Sequence, residues 1–130
     1  MYDYEMTAGK LHMYMKEVIS YLKNRQYEES YKLIMKAINS DPNAAEPHNL
    51  LGIWYEFKGD NDLARKHYRI SYVLNPTYKP ASVNLERVST LFPYKNIEVD
   101  FGDENNDISN QGTKGTPLKG GNLASKSPAS

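Results

Sequence analysis

Between about Leu11 and Phe92, helix-forming runs of mixed apolar and polar residues alternate with short breaks. Two breaks contain proline: SDPNAAEP around Pro42 and LNPTYKP around Pro76. Proline lacks the amide hydrogen and clashes with the preceding turn, so a helix stops there. The break KGDND is of another kind. Gly59 suits the left-handed conformation that ends a helix, and Asp60 or Asn61 can cap the next one. The corresponding break one period earlier is KNRQYEE, where Asn24 is the expected left-handed residue. The pattern predicts helices at about 9–24, 27–40, 45–58, 61–74 and 79–91, and therefore an all-α fold.

The prolines Pro42 and Pro76 stand 34 residues apart. Laying residues 11–44 over 45–78 puts Tyr21 on Tyr55, Ser30 on Ala64, Ile34 on Tyr68, Ala37 on Ser71 and Ile38 on Tyr72. Large falls on large and small on small. In the second unit His48, Leu51-Gly52, Tyr55, Ala64, Tyr68 and Pro76 follow the W-x2-L-G-x2-Y…A-x3-F…P pattern, with His48 in the tryptophan place and Tyr68 in that of phenylalanine. The chain thus resembles the tetratricopeptide repeat family. The first unit is looser: Tyr14 and Tyr21 fit, but Glu17 and Val18 occupy the leucine and glycine places. The resemblance implies an α-solenoid of two helix-turn-helix repeats, 11–44 and 45–78, closed by a capping helix at 79–91. Residues 1–10 form an N-terminal extension, and 11–92 the repeat domain. Small Gly52 and Ala64 are expected to face each other where two helices approach, with Tyr55 and Tyr68 filling the space beside them.

After Pro93 the composition changes. Five of the eight glycines lie beyond residue 100 among Asn, Ser, Thr and Lys, so 93–130 reads as a flexible, disordered tail. Within it NIEVDF alternates as a short strand would, but has no evident partner and reads as extended linker.

Charge narrows the function. Sixteen basic residues balance sixteen acidic ones, which removes the basic excess expected of a nucleic-acid binder or of a protein held to membranes by cations. There is no cysteine, so neither disulfides nor thiolate zinc sites arise. No run of about 18 apolar residues and no secretory signal appears, and a cytoplasmic protein is the expectation. His12, His48 and His67 show no paired ligand spacing, and no nucleophile–base arrangement or phosphate loop can be assembled. The reading is a non-enzyme without metal or cofactor.

What remains is recognition. The resemblance implies a concave groove lined by His12, Met15, Ile19 and Lys23 from the first unit, Asn49, Ile53, Glu56 and Phe57 from the second, and Val83 and Arg87 from the last helix. At the places where some members grip chaperone carboxylates with lysine and asparagine stand Met15, Ile19 and Ile53, and only Arg87 keeps a suitable cation there, so an apolar peptide or amphipathic helix of a protein partner is expected. That makes the chain an interaction module: an adaptor, co-chaperone or assembly factor. The same side chains could instead be covered by the N-terminal segment or by residues 97–101. The alternative class is a structural domain whose apolar surface makes a homodimer.

Overall fold

The computed structural model describes residues 8–90 and 98–103. Residues 1–7, 91–97 and 104–130, and with them most of the stretch expected to be a flexible tail, lie outside the described residues. The described chain is all-helical: α1 (Ala8–Lys23), α2 (Tyr27–Ser40), α3 (Ala45–Phe57), α4 (Asn61–Leu74) and α5 (Lys79–Ser89). Each helix packs on the one before it, and α1 also touches α3. Connections of three or four residues leave each helix little choice but to turn back on its predecessor.

The turns repeat bond for bond. Gln26 N donates to Tyr21 O and Asp60 N to Tyr55 O, each at 2.9 Å. Arg25 N donates to Leu22 O and Gly59 N to Glu56 O, each at 3.0 Å. These two turns place Arg25 (φ 61°) and Gly59 (φ 91°) in the left-handed region. Arg25, not Asn24, is therefore the left-handed residue of the first turn: the geometry follows the step from Gly59 and overrides the usual preference for asparagine. The proline breaks match likewise. Asn43 N donates to Asp41 Oδ1, and Thr77 N to Asn75 Oδ1. These side chains fold the turn ahead of α3 and of α5. Asp60 caps α4 by accepting from Leu63 N at 3.0 Å.

Between α3 and α4 the packing is tightest, and small residues explain it. A Cβ on Gly52 would lie 2.5 Å from two ring carbons of Tyr68, so only glycine lets that ring come this close to the helix. The atoms nearest Gly52 belong to the Tyr68 ring, and Ala64, the other small residue of the seam, is fully buried on the facing helix. Ser30, Ala37, Ala64 and Ser71 are all fully buried, as are Ile34 and Tyr68. Ser71 Oγ also donates to Ala45 O at 2.8 Å, tying the end of α4 to the start of α3. Leu11, Met15, Val18, Ile19 and Leu22 of α1 extend the same core. Tyr72 does not join it; the ring is 45% exposed.

Candidate functional site

One face of the molecule is built from α1, α3 and α5, and residues 98–103 lie across it as a strap with neither helix nor strand geometry. Two asparagines hold the strap by its backbone. Asn84 Nδ2 donates to Asp100 O at 2.8 Å, and Asp100 N donates back to Asn84 Oδ1 at 2.8 Å. Asn49 Nδ2 donates to the same Asp100 carbonyl at 3.1 Å, while its own Oδ1 accepts from Asn84 Nδ2 at 2.9 Å. Both asparagines are fully buried. A carboxamide has one acceptor and one donor group, which is the complement of a peptide backbone. Buried without such a partner, each would cost about 1–3 kcal/mol.

Side chains of the strap are read too. Val99 and Phe101 pack against the core. The Phe101 ring meets Phe57 edge-on with centroids 6.3 Å apart, and Lys23 Nζ stands 5.1 Å over its face. Lys23 Nζ also pairs with Asp103 at 3.0 Å. Gly102 (φ 82°) folds back so that its amide donates to Asp100 Oδ1 at 2.9 Å. Tyr78 crowds this glycine; burial, then the Glu46 and Asp100 carboxylates, push its phenol well above the ordinary value. Beside the strap a cavity of about 260 Å³ stays open, lined by Leu11, His12, Met15, Ile19, Glu46, Leu50, Tyr78, Phe101 and Gly102.

The residues expected to line a groove thus divide. His12, Met15 and Ile19 border the cavity. Lys23, Asn49 and Phe57 contact the strap. Ile53 is fully buried within the core. Glu56 and Arg87 bind each other: Arg87 Nη2 donates to Glu56 Oε1 at 2.8 Å, and Nη1 pairs with Oε2. Tyr68 Oη donates to the same carboxylate at 2.8 Å. Hydrogen bonding to Glu56 raises the Arg87 pKa, and burial raises that of Tyr68. This network ties α3, α4 and α5 together. Val83 is 43% exposed, and it is Asn84, one position on, that turns to the strap. Sequence reasoning misses Asn84 and Tyr78 as site residues; a lone Asn between the apolar Val83 and Leu85 is the signal available for the first.

A second cluster lies outside this face. His48 Nδ1 and His67 Nδ1 are 3.4 Å apart, their rings stack at 5.6 Å, and Tyr55 stacks on His67 at 5.4 Å. Burial lowers the pKa of both histidines, that of His67 to about 4 with help from His48. Among the described residues no group of three His, Asp or Glu side chains is placed to hold a metal ion. No described helix is long and apolar enough to cross a membrane. Compared with protein-family models, curated proteins and solved structures, the chain gives no match.

Proposed function

We propose that this protein is an interaction module: a short solenoid of tetratricopeptide-like helix pairs whose α1–α3–α5 face receives a peptide segment of a partner. The observation that carries the reading is the strap itself. A non-helical segment is held there through main-chain groups by two buried asparagines. Main-chain hydrogen bonding supplies affinity for peptides in general, and neighbouring pockets supply selectivity. The recurrence of turn bonds at a step of 34 residues supports the repeat architecture. The open cavity bordered by Met15 and Ile19 supplies further apolar contact area for a ligand. Peptides selected from a displayed library on the full chain test the reading. Bound peptides should slow amide exchange along α1, α3 and α5 and speed it at 98–103. A library that yields no ligand, or ligands protecting other surfaces, rules against it.

The homodimer reading draws on a different surface. Ile70, Val73 and Leu74 of α4, with Val73 75% exposed, form an apolar patch flanked by Lys66 and Arg69. Sedimentation equilibrium of wild type and Val73→Asp decides between them: a dimer that the substitution dissociates belongs to this second reading.

A further inference from the structure

The strap shows what sequence the face prefers. We infer that the site reads a short motif, apolar–Asp–aromatic–Gly–acid, and that Val99–Asp103 is a built-in copy which a partner segment of the same chemistry must displace. The inference rests on the proposed function and adds the ligand class and its control.

Each position of the motif has a physical reason. Asp100 offers its N–H and carbonyl to Asn84 and Asn49, which any residue but proline could do. Its carboxylate acts separately, since Oδ1 accepts from Gly102 N and bends the segment into the shape that fits. Position 101 requires an aromatic ring, because one surface is the Phe57 edge and another the Lys23 ammonium, which favours a π face. Position 102 requires glycine for two independent reasons. Its φ of 82° lies where side chains are disfavoured, and a Cβ would run into Tyr78 Oη and approach Tyr78 Cζ at 3.2 Å and Pro80 Cγ at 3.4 Å. Position 103 requires an acid to meet Lys23. Lys23 therefore reads ring and carboxylate together.

Because the copy is tethered, it competes at an effective concentration of about 1 mM. A free peptide of intrinsic Kd about 10 μM would then bind the intact chain about 100-fold more weakly, since only the strap-free fraction is competent. A partner gains access by higher affinity, by several linked motifs, or by anything that pulls the strap away.

The test uses the full chain in two forms, wild type and Gly102→Val, with a fluorescent peptide of sequence IEVDFGDEN. A β-branched residue at that φ ejects the strap while leaving the helices untouched, which circular dichroism verifies. The expected result is that the Gly102→Val chain binds the peptide at least about 10-fold tighter than wild type. Peptides with valine for the glycine, or lysine for the last aspartate of the motif, should bind neither chain. Should Gly102→Val fail to fold, Asp103→Lys serves as the strap-releasing variant, with the same order of affinities expected. Equal binding by wild type and released chains overturns the built-in competitor. Binding indifferent to glycine or acid in the peptide overturns the motif, while unrelated peptides that still protect α1, α3 and α5 would leave the broader reading standing.

Discussion

The seam between α3 and α4 and the contact between strap and helices are held by opposite means. At the seam, Gly52 meets the fully buried ring of Tyr68, and fully buried Ala64 and Ser71 lie along the same helix pair, so shape dominates. At the strap, two carboxamides, one ammonium and one left-handed glycine hold six residues through hydrogen bonds and charge. A seam of close-packed side chains melts with the molecule. A contact that joins directional polar bonds to only two apolar side chains, Val99 and Phe101, on one short segment opens locally, at a fraction of the global free energy. One region fixes the scaffold and the other is suited to exchange.

Breaking the link between the two regions should have the largest effect. Glu56 accepts from Tyr68 of α4 and pairs with Arg87 of α5, and Arg87 Nη2 also donates to Asn84 Oδ1 at 3.2 Å. Glu56→Ala strands a buried phenol and a mostly buried guanidinium together, so a loss of about 3 kcal/mol is expected in urea denaturation. Next comes the seam alone. Gly52→Ala forces the Tyr68 ring aside and should cost about 2 kcal/mol, with strap exchange rates unchanged relative to the new global stability. Asn84→Ala should do the reverse, lowering global stability by about 1 kcal/mol while freeing the strap, read by amide exchange.

The histidine pair sharpens the contrast because it acts on the α3–α4 seam without touching the strap. Both imidazoles sit below their ordinary value in the folded protein. As pH falls, the unfolded chain takes up protons first, near 6.5, so the neutral pair's contribution is complete above that pH. It declines as pH drops toward about 4, the folded value of His67. Melting temperature should therefore fall between about pH 6.5 and 5, and His67→Phe should flatten that slope. The partly exposed rings make this the smallest of the effects.

How far the sequence carries these features differs by region for the same physical reason. Helix bounds are legible because proline and glycine act locally, and the fully buried small residues because Ser30, Ala37, Ala64 and Ser71 recur at a fixed step. Asn24 is mistaken for Arg25 when a residue preference is followed where the step from Gly59 already gives the answer. That the Tyr68 ring comes closest to Gly52 follows from the fold, since a ring fills the gap beside a glycine as well as a small residue does. The strap is harder. NIEVDF announces an extended segment, and 97–101 is a candidate cover, but its clamp joins Asn49, Asn84 and Asp100 across long stretches of chain. Nothing in local composition marks Asn84 as the partner of a backbone amide 16 residues on. The His48–His67 contact is of the same kind: 19 residues separate the rings, and only the fold brings them together.

The most direct test is amide exchange at one position, Asp100, in the full chain and in Asn84→Ala. If the strap is seated as described, the Asp100 N–H, bonded to Asn84 Oδ1 at 2.8 Å, is protected at least about 10-fold over an unstructured peptide, and loses that protection in the variant while helix amides keep theirs. An Asp100 amide that exchanges at the free-peptide rate in the wild-type chain would contradict the account.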